Sequence, residues 1–186
     1  MAITKPAGSW TYEDLFSLPD DGRRYEIIEG ELYEMPAPNL VHATVVMNLI
    51  ALLLPIVSSL DGRLFTAPLD VFFQGADPVQ PDIVVILPGW SGNLPLRGPE
   101  GAPDLLIEVL SPANRGHDLL TKRALYARAG VREYWIVDPT NRTVAGERHV
   151  VLARGRSYDD VPPLRGIYAG AGTIDLDVQV RITQEA

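Results

Sequence analysis

The chain has 186 residues, of which 46% are hydrophobic and 22% are charged. This composition is that of a globular protein, and the length predicts a single domain over residues 1–186 with a sizeable hydrophobic core. The absence of cysteine excludes disulfides, a thiolate nucleophile and cysteine-ligated zinc. Because there are only three histidines, Asp and Glu oxygens are the expected metal ligands, which favours magnesium or manganese over zinc.

The net charge of −8 opposes binding to nucleic acid, whose phosphates attract positive charge. The distribution of charge weakens this objection, because residues 113–135 contain five basic and two acidic side chains. This segment forms either a local basic face that guides a phosphate backbone or the ordinary solvated face of a helix.

No membrane-spanning or secretory segment is expected. The N-terminus lacks the apolar stretch of a signal peptide. The longest apolar run, Val45 to Val57, is interrupted by Asn48 and Pro55 and is too short to cross a bilayer. We therefore expect a soluble, cytoplasmic protein without a membrane partner.

The N-terminal part of the chain predicts a helix, a hairpin and a second, longer helix. The first helix covers Trp10 to Leu18. Strands Tyr25–Ile28 and Glu31–Met35 flank the tight turn at Glu29-Gly30. The apolar spacing from Val41 to Val57 predicts the long helix.

Strands then dominate as far as residue 110. Arg63–Ala67 and Leu69–Phe73 have the composition of strands, and Val79–Leu87 is a third strand that contains Asp82. A loop rich in Pro and Gly follows over residues 88–103. The next strand, Asp104–Leu110, contains Glu108.

The remaining chain predicts one more helix and several strands. The helix covers Asp118 to Ala129 and ends at Gly130, and Glu133–Asp138 is a buried strand. Arg142–Leu152 and short pieces up to Ile182 are expected to be peripheral antiparallel strands. The predicted fold class is α/β: a mixed β-sheet flanked by helices, with a core over about residues 41–139.

The most informative residues are two carboxylates in otherwise apolar strands, Asp82 and Glu108. An ionised carboxylate in such surroundings is costly unless a cation or hydrogen bonds compensate it. Two carboxylates from adjacent strands can hold one magnesium ion, with the backbone carbonyl of Val109 and water as further ligands. The pair therefore indicates a metal site for phosphodiester cleavage.

Lys122 is a candidate third member of this site. Lys5 is the only other lysine, since the chain uses arginine for its remaining cations. A compact ammonium can orient a water molecule or neutralise a phosphate in a way that the planar guanidinium does not. The alternative is that one lysine remains by chance at a position without a function.

Three further residues are weaker candidates for the site. Glu26 is either a third acid near the metal or a solvent-facing strand residue. His42 begins the long helix and either contacts phosphate or water or makes a local hydrogen bond. Asp118 lies one turn before Lys122 and either positions the lysine or begins its helix.

Several separated motifs resemble those of one family. They are Tyr25-Glu26-Ile27-Ile28-Glu29-Gly30-Glu31-Leu32, His42, Gln80-Pro81-Asp82, Ile107 to Pro112, Asp118 with Lys122, and Gly130 to Pro139. Together they resemble the Uma2 family, also called DUF820, over about Thr11 to Pro139. That family belongs to the PD-(D/E)XK superfamily of restriction-endonuclease-like proteins.

The resemblance implies a metal-dependent nuclease fold in which Asp82 is the first motif acid and Glu108 is the second. One position departs from the superfamily pattern, since Leu110 stands where a lysine is expected two residues after Glu108. The resemblance implies that Lys122 on the following helix replaces that lysine. The function expected is magnesium- or manganese-dependent cleavage of nucleic acid, with DNA as the substrate and a homodimer as the assembly.

Two other functions remain open on the sequence alone. The missing lysine at position 110 and the acidic net charge favour a non-catalytic binding or scaffold protein that has kept the nuclease fold. Paired carboxylates also occur in enzymes that hydrolyse sugars, which would need no metal.

Overall fold

The computed structural model describes residues 5–35, 37–111, 118–139 and 143–148, with the side chains of 118–120 and 143–148 excepted. Three helices and seven strands occur within these ranges. The helices are α1 (Tyr12–Leu15), α2 (Leu40–Ser59) and α3 (Asp118–Ala129). The strands are β1 (Arg24–Ile28), β2 (Glu31–Met35), β3 (Arg63–Thr66), β4 (Ile83–Ile86), β5 (Leu105–Val109), β6 (Glu133–Asp138) and β7 (Thr143–Arg148).

The strands form two sheets. β1 and β2 pair as an antiparallel hairpin, and the other five strands form a sheet in the order β3-β4-β5-β6-β7. Only β5 and β6 run parallel, because α3 connects them; the other neighbouring pairs are antiparallel. The sheet is therefore mixed, as the sequence predicts.

The two sides of the five-stranded sheet carry separate apolar clusters. On one side, Val45, Leu49, Leu53 and Val57 of α2 pack against strand residues that include Ile83 and Ile107. On the other side, Leu125 and Tyr126 of α3 pack against strand residues that include Val84 and Leu106. Successive strand residues thus alternate between an α2 side and an α3 side, so the central strands are buried on both faces.

Three predicted elements agree closely with the structure. The hairpin turns at Glu29 and Gly30, whose φ angles of 54° and 77° are both positive. Helix α3 ends at Ala129, and Gly130 follows in the left-handed conformation with φ of 84°. Strand β6 has the predicted bounds.

The prediction of a strand over Leu69–Phe73 is wrong. Val71 pairs with Val79 through two backbone hydrogen bonds of 2.8 and 3.1 Å, whereas the Phe72 amide donates to the carbonyl of Pro99. Because neighbouring residues pair with different segments, no continuous ladder forms. The first helix is also shorter than predicted, covering Tyr12 to Leu15.

The long helix predicted from Val41 to Val57, a segment that contains Asn48 and Pro55, is confirmed by α2. Helix α2 continues through both residues for 20 residues. Ala51 and Pro55 both lie on the exposed face, where water can satisfy the carbonyl that the missing Pro55 amide leaves unpaired. Helix α2 is long and apolar enough to cross a membrane, by length and composition alone. In the structure, 22% of its most apolar stretch is buried.

Of the strands predicted near the C-terminus, β7 lies within the described residues and pairs antiparallel with β6. The other short strands expected up to Ile182 lie outside the described residues.

Candidate active site

The sheet register brings Asp82 and Glu108 to facing positions. Ile83 pairs with Ile107 across the antiparallel β4–β5 ladder, so the next step along the two chains sets Asp82 opposite Glu108. Both acids fall on the α3 side, because side chains alternate along each strand. Asp82 directly precedes β4 and is therefore outside the strand in which it was predicted, whereas Glu108 lies within β5 as expected.

Asp82 is held through one oxygen. Its Oδ2 accepts a hydrogen bond of 2.7 Å from the backbone amide of Val109, and it lies 3.2 Å from Nε2 of His42. The Asp82 carbonyl accepts hydrogen bonds from the Ala67 amide and the Thr66 hydroxyl. The backbone on both sides of the site thus fixes this carboxylate.

Glu108 is also held through one oxygen. Its Oε1 accepts a 2.7 Å hydrogen bond from the Tyr126 hydroxyl and lies 3.2 Å from Nζ of Lys122. Burial raises the pKa of Glu108 to about 8; the charges of Asp82 and Glu26 raise it too, against the opposing effects of Lys122 and Tyr126. In the absence of a bound cation, Glu108 therefore holds its proton more firmly than an exposed glutamate.

The Lys122 ammonium is buried between two glutamates. The side chain is 2% exposed, and Nζ lies 3.0 Å from Oε2 of Glu26 as well as 3.2 Å from Glu108. A buried lysine is tolerated only with close anionic partners, which these carboxylates supply. The ammonium thus points into the acid cluster and away from solvent.

Glu26 joins the hairpin to the segment that carries Asp82. It is 3% exposed, which excludes the solvent-facing alternative, and its Oε1 accepts a 2.8 Å hydrogen bond from the Gln80 amide. Gln80 is two residues before Asp82, and its side chain contacts Asp70 and Arg24. Glu26 therefore gives Lys122 a second carboxylate partner beside Glu108.

The structure describes the side chain of His42 but only the backbone position of Asp118. His42 is in the first turn of α2 and contacts Asp82, while its Nδ1 is buried with no hydrogen-bond partner among the described residues. Asp118 is the first residue of α3, one helical turn before Lys122. Its side chain lies outside the described part of the structure, so its predicted role stays a prediction.

The donor set is compatible with a divalent cation that prefers oxygen ligands. Glu26 and Glu108 contact the Lys122 ammonium, and Asp82 lies opposite Glu108, so three carboxylates accompany one ammonium and negative charge is in excess when all are ionised. No described contact engages Oδ1 of Asp82 or Oε2 of Glu108. Magnesium is commonly held by one or two carboxylates together with water and phosphate, which matches these two acids.

No larger metal cluster is present in the described ranges. None of their His, Asp and Glu side chains forms a group of three or more suited to an ion. Glu26 is committed to Lys122 and Gln80, so it acts on the lysine and leaves Asp82 and Glu108 as the acids available for an ion.

Three basic side chains of residues 113–135 pair with carboxylates, and Arg123 is exposed on α3. Lys122 is buried, Arg128 pairs with Glu29 at 2.5 Å, and Arg132 pairs with Asp104 at 2.9 Å. Each of these cations is thus matched by a carboxylate. Arg115, the first basic residue of the segment, lies outside the described residues.

Tyr126 is a site residue that the sequence analysis did not identify. It lies four residues after Lys122 on α3, so both side chains extend from one helix face toward Glu108. Contact with Glu108 and burial raise its own pKa well above the usual tyrosine value, burial being the larger cause. The spacing of four from a candidate lysine was a signal in the sequence that could have revealed it.

A groove of about 510 Å³ lies beside the C-terminal end of α3. It contains none of the predicted site residues, and its floor is partly apolar. The residues that line it are Ile28, Glu29, Phe73, Gln74, Gly75, Ala76, Asp77, Leu125, Arg128 and Ala129.

The fold and the family match together define a nuclease-like α/β protein. The Uma2 family, described as "Putative restriction endonuclease", matches residues 12–166. This range covers most of the chain, and the chain therefore belongs to the Uma2 family. The resemblance seen in the sequence motifs is confirmed.

One solved structure shares the fold across nearly its whole length. It is described as "a putative nuclease belonging to DUF820" from Anabaena variabilis, with a TM-score of 0.60 and 20% sequence identity. The match covers 86% of this chain and 97% of the Anabaena chain. At this level of identity the likeness establishes the fold.

Shorter matches connect the chain to mycobacterial proteins. "Uncharacterized protein ML0607" of Mycobacterium leprae is 49% identical over 53 residues, which are 28% of this chain and 19% of that protein. "Uncharacterized protein Rv2569c" of Mycobacterium tuberculosis is 46% identical over 50 residues, covering 26% of this chain and 16% of that protein. The chain thus spans less than a fifth of the length of these curated relatives.

Proposed function

We propose that the protein is a metal-dependent endonuclease that hydrolyses phosphodiester bonds of nucleic acid, with DNA as its substrate and magnesium or manganese as its cofactor. The observation that carries the proposal is the buried Lys122 ammonium, 3.2 Å from Glu108, beside a second acid at Asp82. Membership of a family described as "Putative restriction endonuclease" supports the same reaction class.

Each side chain has a distinct role in this proposal. Asp82 and Glu108 bind the cation, and the Val109 carbonyl is a further ligand. The bound cation supplies an activated water and charge neutralisation at the phosphate. Lys122 orients the attacking water or balances charge that develops on the phosphate oxygens. Glu26 keeps the ammonium in place through its 3.0 Å contact.

The accessory residues act on these groups. His42 restrains Asp82 through the contact at Oδ2 and is the candidate contact to phosphate or water. Asp118, one turn before Lys122, positions the lysine. A homodimer would provide two such sites, one for each strand of a duplex, and the proposed location is the cytoplasm.

The first test is a titration of the protein with manganese and magnesium by isothermal calorimetry, together with thermal melts. The wild-type protein should release or absorb heat and melt at a higher temperature with either ion. Asp82→Asn should abolish both effects and should also abolish cleavage of plasmid DNA. Asp104→Asn is the matched control, because Asp104 is a buried acid that precedes β5 as Asp82 precedes β4, and it contacts Leu87 and Arg132 instead of the site.

The two alternative functions give different results in the same assays. A non-catalytic scaffold would give no metal-dependent heat or thermal shift, and Asp82→Asn would change neither. A sugar hydrolase would remain active in the presence of a chelator, whereas the proposed nuclease would lose all activity.

A further inference from the structure

Both proposed metal ligands are engaged through a single oxygen, and the other oxygen has no described contact. On Asp82, Oδ2 accepts a hydrogen bond from the Val109 amide and also contacts Nε2 of His42. On Glu108, Oε1 accepts a hydrogen bond from the Tyr126 hydroxyl and also contacts the Lys122 ammonium. Because both partners of each acid bind the same oxygen, the second oxygen stays free of competing bonds.

The Tyr126 hydroxyl is itself rigidly placed. The residue is fully buried, and its ring meets the ring of Tyr134 edge to face, with centroids 4.9 Å apart and an angle of 74°. Phe73 packs at 5.9 Å from the same ring. Aromatic contacts on two sides leave the hydroxyl little freedom to leave Oε1 of Glu108.

We propose that Tyr126 is a positioning residue that, together with Lys122, occupies Oε1 of Glu108 and thereby reserves Oε2 for the divalent cation. The inference rests on the proposed metal-dependent function and adds a residue to it. Tyr126 touches neither the cation nor the substrate. It acts through Glu108, by fixing which oxygen faces the ion and by preventing the carboxylate from binding through both oxygens.

A purely structural tyrosine would behave differently. A buried hydroxyl needs a partner, and Glu108 could serve only that need. Loss of the hydroxyl would then change the stability of the fold and leave the affinity for metal unchanged. Partners that orient a metal ligand, in contrast, typically change metal affinity by about 10–100-fold when they are removed.

The experiment compares Tyr126→Phe with Tyr134→Phe in the full chain by manganese calorimetry. Both variants remove one hydroxyl from the same buried aromatic cluster, and of these two hydroxyls the Tyr126 one donates to Glu108. Tyr126→Phe should raise the dissociation constant for manganese on the order of 10-fold. Tyr134→Phe should bind manganese as the wild-type protein does.

Cleavage assays at increasing manganese give a second readout. In Tyr126→Phe the manganese concentration for half-maximal rate should rise, and the rate at saturating manganese should return to near the wild-type value. Equal manganese affinity in Tyr126→Phe and wild type, with binding lost in Asp82→Asn, would overturn the role of Tyr126 and leave the proposed function intact. Absence of manganese binding in the wild-type protein would overturn both.

A wild-type crystal soaked in manganese tests the inference without any variant, which matters if Tyr126→Phe fails to fold. The expected result is one ion bound to Oε2 of Glu108, with the Tyr126 hydroxyl still on Oε1. An ion bound to Oε1, or to both oxygens of Glu108, contradicts the inference while keeping the metal site. An ion elsewhere in the crystal, away from both Asp82 and Glu108, contradicts the metal site itself.

Discussion

At the scale of single residues, the centre of this protein is a lysine whose charge is balanced by buried glutamates. Lys122 is 2% exposed and contacts Glu26 and Glu108 within 3.2 Å. Removing one member of a buried ion pair leaves the other charge without compensation, which costs far more than losing an exposed pair. The chain also contains an exposed pair of similar chemistry, Arg128 with Glu29, whose side chains are both 57% exposed.

These two ion pairs predict a large difference in stability between two substitutions. Lys122→Met keeps the side-chain length but leaves two buried carboxylates without their cation, so the free energy of unfolding should fall by about 3–5 kcal/mol. Arg128→Met removes an exposed cation and should lower it by less than about 1 kcal/mol. Urea denaturation of both variants measures the difference, and similar losses would contradict the buried placement of the ammonium.

The raised pKa of Glu108 predicts a pH dependence of stability when no metal is bound. Between the ordinary value of 4.5 and the value of about 8, the folded protein holds a proton that the unfolded chain has released. The contribution of Glu108 to stability therefore falls as pH rises through this window, and it is constant on either side. Glu108→Gln carries no titrating group and should lack this decline.

Thermal melts in a chelator from pH 4 to pH 9 test that expectation. The difference in melting temperature between wild type and Glu108→Gln should change steadily between about pH 4.5 and 8. Parallel pH profiles for the two proteins would show that Glu108 titrates normally.

At the scale of elements, three separate pieces of chain assemble the site. The hairpin β1–β2 carries Glu26, the β4–β5 ladder carries the two facing acids, and α3 carries Lys122 and Tyr126. The hairpin is not part of the five-stranded sheet, so its position depends on other contacts. Gly30, in the turn of the hairpin, makes two such contacts. Its carbonyl accepts a hydrogen bond of 3.0 Å from the Trp10 amide, and its amide donates one of 3.2 Å to Asp77.

Gly30→Ala should therefore destabilise the hairpin more than a comparable change elsewhere. Gly30 has φ of 77°, and a Cβ atom there would lie 2.6 Å from the Gly8 carbonyl oxygen. Gly22 has nearly the same φ, 78°, but a Cβ atom there meets nothing within 4 Å. Both changes carry the backbone penalty of about 1–2 kcal/mol, so the additional loss in Gly30→Ala measures the steric clash.

Chemical denaturation of the two glycine variants provides the comparison. Gly30→Ala should show the lower free energy of unfolding. Equal values for the two variants would mean that the N-terminal segment moves away from the turn without cost.

At the scale of the whole molecule, the sequence predicted the elements better than the pairing among them. The hairpin, α3 and β6 were predictable because local signals agree there: a turn with glycine, a glycine after the helix, and a short run of apolar residues. Leu69–Phe73 has strand composition too, yet its pairing partners are residues 79 and 99, and such distant partners leave no local signal. Pairing that depends on distant loops is not encoded in strand propensity.

The candidate site shows the same division. Asp82, Glu108 and Lys122 were predictable as charged residues in apolar segments or as a rare residue type. The backbone amides of Gln80 and Val109 were not, because an amide gives no such contrast with its neighbours, and Tyr126 was signalled only by its spacing of four from Lys122. The acids that pair with Arg128 and Arg132 come from remote positions, 29 and 104, and likewise give no local signal.

The burial of Lys122 also makes the amino groups of this chain chemically unequal. Lys5, the only other lysine, is on the surface with its side chain 34% exposed. An acylating reagent attacks only an uncharged and accessible amine, so in the native protein it should modify Lys5 and spare Lys122. The appearance of an acyl group on Lys122 would then report the opening of the acid cluster, which gives the site an internal chemical probe.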